Sequence, residues 1–139
     1  MPEKKLSWFG VQPEEMDLWW ERAKPFVARA LAEGRGEYAA ADVCRFLDQR
    51  AMQLWLLWDG SVRGAVVTEL CNYPCYRTCI VRLFAADRAI RDAWLPMLGI
   101  IEAWARTQDC EAIEVIGRPG WKRVLSGYEQ THLVLRKDL

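Results

Sequence analysis

Histidine is nearly absent from this chain, with His132 alone among 139 residues. The residue that most often ligates metals and activates nucleophiles is therefore scarce, and a cysteine–histidine or zinc mechanism has little to build on. An excess of one charge is missing too. Nineteen basic residues balance nineteen acidic ones, so no field gathers phosphate backbones, and nucleic acid is not an expected partner. No apolar run approaches the roughly 18 residues that a membrane-spanning helix needs. Met1 to Lys5 leads into no apolar core of a secretory leader. A cytoplasmic protein that does not span a membrane is expected. Gly-x-Ser-x-Gly, the P-loop and the glycine-rich dinucleotide turn are all absent, which removes the commonest hydrolase, nucleotidase and dehydrogenase readings.

What is present is globular composition, 52% hydrophobic and 27% charged, too apolar for a disordered adaptor. Charges are interleaved, with Arg29, Arg35, Arg45 and Arg50 among Glu33, Glu37, Asp42 and Asp48, the pattern of solvated helix faces. Cys71, Cys75 and Cys79 repeat every fourth residue, but no second cysteine pair accompanies them and the spacing matches neither zinc nor iron–sulfur sites. No metal and no disulfide is expected, and a chain of this size can bury a core without either. Of eight tryptophans, Trp19, Trp55, Trp94 and Trp104 lie in periodic apolar segments and are assigned to the core.

The length predicts one domain over 1–139, with a helical segment at about 13–51 and a sheet-bearing part at about 53–139. Met16, Trp19, Trp20, Ala23, Val27 and Leu31 recur at helical spacing from Pro13 to about Ala32, with Pro25 inside as a kink or break. Val43, Phe46 and Leu47 mark a second helix over about 39–51. Strands follow at 53–58 and 62–70 around the turn pair Asp59-Gly60, then at about 77–85. In that third strand Cys79, Val81 and Leu83 are expected on one face and Ile80 and Phe84 on the other, both covered. A helix over about 93–107 carries Trp94, Leu98, Ile101 and Ala105 as a stripe, with Asp92 as its cap and Pro96 in its first turn. A strand at 110–116, a short helix at 121–125 and a closing strand at 131–136 complete a mixed sheet.

This order, over roughly Gln53 to Leu139, resembles the GNAT (GCN5-related N-acetyltransferase) fold: an α/β architecture with a mixed, mostly antiparallel sheet flanked by helices. The N-terminal helices stand in place of that fold's usual first strand and helices. Gly117 to Tyr128, followed by a strand, resembles the family's short helix, Gly-Phe corner and final strand, with Gly127 and Tyr128 at the corner. Gln53-Leu54-Trp55-Leu56, Val67-Thr68-Glu69 and Gly117-Arg118-Pro119-Gly120-Trp121 further resemble short GNAT-like proteins of tailed phages and prophages.

The resemblance implies acetyl-CoA, or another acyl-CoA, lying where two parallel strands splay. Leu83, Phe84 and Ala85 then offer backbone to the cofactor, and Arg88, Ala89, Arg91 and Ala93 form the phosphate loop. Arg88 and Ala93 fit the family's Gln/Arg-x-x-Gly-x-Gly/Ala pattern, whereas Arg91 replaces its first glycine and Asp87 and Asp92 oppose the two arginines. The family's tyrosine acid falls on Arg123, so Tyr73, Tyr76 or Tyr128 has to replace it. Glu69 is the candidate base for an amine or protein substrate, with Tyr73 and Tyr76 as substrate walls. The alternative implied by these departures is a non-catalytic phage or prophage module, virion-associated where phage-encoded. Such a module would bind a phage or host protein through Trp8, Trp20 or Trp121.

Overall fold

A computed structural model describes residues 5–88, 95–117 and 120–139. Strand β1 (Ser7–Gly10) leads through a 3-10 turn at Pro13–Glu15 into helix α1 (Met16–Ala32) and then α2 (Ala40–Asp48). The long strands β2 (Gln53–Trp58), β3 (Val62–Asn72) and β4 (Arg77–Ala86) follow, then α3 (Leu95–Thr107), β5 (Ala112–Val115) and the short helix α4 (Trp121–Val124). The five strands lie in sequence order. All neighbours are antiparallel except β4 and β5, which run parallel. That parallel pair requires a crossover, and α3 is carried in it.

Strand alternation divides the core in two. Leu54, Leu56, Ala65 and Val67 pack with Ala23, Val27, Val43 and Leu47 on the side of α1 and α2. Trp55, Val66, Cys79 and Val81 pack with Met97, Leu98, Ile101 and Ala105 on the side of α3. Helix α1 crosses β3 and β4 and runs through Pro25 as one element. Its burial of Met16, Ala23, Val27 and Ala30 outweighs the single backbone bond that a proline removes. Inside the α3-side core, the Trp55 indole donates to Thr68 Oγ1 (3.0 Å), whose hydroxyl donates on to Gln53 Oε1 (2.9 Å). The Trp55 ring meets Trp104 edge-on at 5.4 Å, and Trp19 meets Phe9 and Trp58 in the same way on the other side.

Four expectations need correction. The N-terminal segment does contain a first strand: β1 pairs Trp8 with Leu57 and Phe9 with Leu56. Four residues are too few to show an alternation, so the pattern could not reveal it. The turn after β2 has three residues rather than two, with Asp59 N donating to Ser61 O (3.2 Å) and Gly60 at φ +111°. A glycine at that angle carries no Cβ penalty. The faces of β4 also change along its length. Val67 pairs with Leu83 but Thr68 with Val81, which leaves Arg82 as an extra residue in a bulge. A bulge shifts the alternation by one, so Leu83 joins the α1 side and Phe84 the α3 side. Finally, 131–136 forms no strand. Its side chains are exposed, and no described strand lies against it.

The cap at Asp92, the stripe residue Trp94 and the candidate cofactor residues Ala89, Arg91 and Ala93 fall outside the described residues, as do Arg118 and Pro119. No described helix is long and apolar enough to cross a membrane.

Candidate active site

The β4–β5 ladder runs from Thr78–Ala112 to Val81–Val115 and then stops. One further bond, from Ile116 N to Val81 O (3.3 Å), closes it. Strand β4 continues to Ala86 beside β3. Among the described residues the parallel ladder has no rung beyond Val81–Val115. The bulge at Arg82 comes directly after that last rung and re-aims the side chains of β4. Leu83, Phe84 and Ala85 follow it, beyond the end of β5.

The opening beyond that last rung has a narrow root. Val81, Phe84, Met97, Leu98, Val115 and Trp121 close around a space with no room for a water molecule. The Trp121 indole meets the Phe84 ring edge-on at 5.3 Å. Gly117 makes that seat available, because a Cβ there would come within 2.8 Å of Trp121 Cδ1. The sequence suggested Trp121 as a surface contact. It packs instead on the α3-side core, as does Trp8, while Trp20 packs against the core under α1.

Glu69 faces the bulge from β3. Its Oε1 accepts from both Nε (2.9 Å) and Nη2 (2.6 Å) of Arg82, and both side chains are mostly covered, at 20% and 30% exposure. Charge-assisted bonds of this kind hold a carboxylate firmly in place. Arg82 was not singled out in the sequence. Its signal was a cation interrupting the otherwise apolar run from Cys79 to Ala86.

Beyond Ala86 the chain is fastened from two sides. Arg29 of α1 donates to Ala86 O (3.1 Å). Asp87 is held by its backbone bond to Arg63 O (2.9 Å) and by the Arg63 guanidinium (2.8 Å). The carboxylate expected to oppose the loop arginines is thus already paired with a cation of β3. Arg88 follows it, exposed to solvent.

The candidate tyrosines do not gather at the opening. Tyr73 and Tyr76 form the β3–β4 turn, closed by Tyr73 N to Tyr76 O (2.9 Å), with rings 5.1 Å apart. Six residues separate Tyr76 from Arg82, roughly 20 Å along a strand, so the pair stands at the far end of β4 from the opening. The Tyr73 phenol pKa is raised by hydrogen bonding to the Cys71 thiol. Tyr128 lies under the sheet with the α3-side core and donates to Glu102 Oε2 of α3 (2.8 Å). Burial, and then that bond, push its pKa well up, so the proton stays on the phenol. Gly127, at φ +82°, makes the corner that places Tyr128 there.

Among the described residues, no group of three histidine, cysteine, aspartate or glutamate side chains is placed to hold a metal ion. Burial, with the neighbouring Cys110, pushes the Cys79 thiol up to about 12.

No family model matches the sequence, and no curated protein does. Solved structures do match it. An aminoglycoside acetyltransferase from an uncultured soil metagenomic sample superposes with a TM-score of 0.72 at 13% identity, over 97% of each chain. A predicted acetyltransferase with acetyl-CoA from Clostridium acetobutylicum gives 0.70 at 11%, over 96% of each. AAC(6')-Iy in complex with the bisubstrate analog CoA-S-monomethyl-acetylneamine gives 0.70 at 12%, over 97% of this chain and 98% of that one. At such identities the likeness is one of fold, and together with the order of strands and the single parallel pair it shows that this chain has the fold of the GNAT acetyltransferases.

Proposed function

We propose that the protein is an acyl-CoA-dependent N-acyltransferase whose acyl donor lies in the opening between β4 and β5. The observation that carries this reading is the coincidence of the Arg82 bulge with the end of the parallel ladder. It leaves Leu83 and Ala85 beyond the last rung of the parallel ladder among the described residues, where backbone amide groups can bond an extended ligand arm. Neighbours of the same fold are described with acetyl-CoA and with a CoA bisubstrate analog. The donor would supply an activated thioester carbonyl. The diverging strand fits such an arm along its edge. The root does not fit it while Trp121 occupies it, so binding requires the indole to move.

Each residue then has a limited task. Arg88, with Ala89, Arg91 and Ala93, is assigned to the phosphates, and pairing of Asp87 with Arg63 removes one of the charges opposing Arg88. Glu69, held beside the bulge by Arg82, takes the proton of an attacking amine directly or through one water. Tyr128 keeps its proton on Glu102 and anchors the corner. Tyr73 and Tyr76, at the far end of β4, line an approach for a larger amine or protein substrate. With Arg123 at the short-helix position, the leaving thiolate takes its proton from solvent. Positioning is then the main catalytic contribution.

A second reading has its own support. The filled root and the missing phenol suit a GNAT-fold module without catalysis, a phage or host protein binder. Calorimetric titration with acetyl-CoA separates the two. The enzyme reading expects weak, salt-sensitive binding that Arg88→Ala with Arg91→Ala abolishes. Absence of binding supports the non-catalytic module, and submicromolar binding indifferent to salt and to both arginines puts the site elsewhere.

A further inference from the structure

Along β4 the proposed donor site has a direction. Arg88, assigned to the phosphates, stands at one end, Leu83 to Ala85 lie between, and Val81 and the bulge residue Arg82 stand at the other. From Arg88 back to Val81 is roughly 20 Å of extended chain, so a donor laid along it brings its thioester to the bulge, beside Glu69. Whatever the thioester carries beyond its carbonyl then meets the root of the opening. Val81, Phe84, Met97, Leu98, Val115 and Trp121 line that root, and none of them bears a charge or a hydroxyl. Met97 and Leu98 are 1% and 5% exposed, so the floor belongs to the core rather than to the surface.

We propose that the acyl group of the donor is a medium-length alkyl chain, and that it lies in this root in place of the Trp121 indole. This rests on the acyl-CoA reading and names the acyl group within it. An alkyl chain is the ligand whose transfer from water such a lining favours most, whereas an acetyl group has too little surface to offset the packing of the displaced ring. Size points the same way. The root has no room for a water molecule and interiors are close-packed, so what enters must fill what the indole leaves, and a chain of roughly eight carbons matches that ring in heavy atoms.

The indole has somewhere to go. Trp121 is the first residue of the four-residue helix α4, and Gly120 before it has nothing within 4 Å of the place a Cβ would take. The Phe84 ring, now met edge-on by the indole at 5.3 Å, stays as a wall for the chain. The two faces of the sheet also keep the reactants apart. Glu69 stands between Thr68 and Leu70, which face the α3 side, so alternation turns it to the α1 side. An amine reaches the carbonyl from that side while the chain is buried on the other, and acceptor and chain do not compete for space.

Calorimetric titration of the full chain with CoA, acetyl-CoA and octanoyl-CoA, together with isotope-filtered NOEs from a ¹³C-labelled octanoyl chain, tests it. Octanoyl-CoA should bind at least about tenfold more tightly than acetyl-CoA, with NOEs from its chain to the Met97 and Leu98 side chains. Equal binding of the two esters overturns the inference and leaves the acyl-CoA reading standing. So do chain NOEs confined to residues outside the root, such as the exposed Leu133 and Leu135, which mark adhesion to the surface. Failure of CoA and of both esters to bind overturns the reading and the inference together.

Discussion

Thr68 shows how much a single hydroxyl can carry. It is fully buried, accepts the Trp55 indole N–H and donates to Gln53. Thr68→Val keeps the shape and leaves the indole donor unpaired in the core, a loss of about 1–3 kcal/mol. Urea melts should show a lower midpoint with an unchanged slope. Cys79 supports a second residue-level prediction. Its thiol is pushed up to about 12 from an ordinary 9.0, first by burial, so at pH 8 its thiolate is about one part in ten thousand. An Ellman assay on the native protein should modify the exposed Cys75 readily and leave Cys79 silent until denaturant is added. The sign for stability follows. The folded thiol holds its proton more tightly than the unfolded one, so its contribution is intact below about pH 9 and is lost as pH rises toward 12. The raised Tyr128 phenol acts in the same direction, and melting temperature should fall on the alkaline side.

At the scale of elements, local pattern revealed what was locally determined. Helices α1, α2 and α3 follow from their apolar stripes, and the β2–β3 hairpin follows from Asp59-Gly60. The bulge in β4 did not follow, because Leu83 and Phe84 are both apolar and a two-residue period can be read through either. Only the partner strand, pairing Val67 with Leu83 and Thr68 with Val81, decides. The helix α4 was legible but its role was not, since nothing near Trp121 in sequence says that its ring seats against Phe84. That seat leads to a prediction. Trp121→Ala removes the plug from between Val81, Phe84 and Val115, so acetyl-CoA should bind about tenfold more tightly. The same change should cost roughly 3 kcal/mol of stability from lost packing. Calorimetry and thermal melts on the one variant read both, and weaker binding would mean that Trp121 forms part of the ligand wall.

At the scale of the whole molecule, the order of strands was enough to reach the GNAT-like α/β sheet, because a meander followed by a right-handed crossover leaves few topologies. Of the candidate site residues, Glu69 and Leu83 to Ala85 lie beside the bulge at the end of the β4–β5 ladder, whereas Tyr73 stands at the other end of β4 and Tyr128 is committed to Glu102. Distances of that kind depend on strand length and register, which one sequence carries weakly. The terminal segment is the clearest limit: its short apolar run Leu133-Val134-Leu135 reads as a strand, but pairing is a property of two edges, and the run alone cannot supply the second. The proposed acyl-CoA site is the opening beyond the last rung of the β4–β5 ladder. Amide chemical-shift mapping by ¹H–¹⁵N correlation spectra during acetyl-CoA titration tests this most directly. The account predicts the largest shifts at Leu83 to Ala86, Arg88 and Val115 to Gly117, together with the Trp121 indole N–H. Shifts confined to the groove of Trp20, Cys44 and Asp48 between α1 and α2, or none at all at saturating ligand, would contradict it.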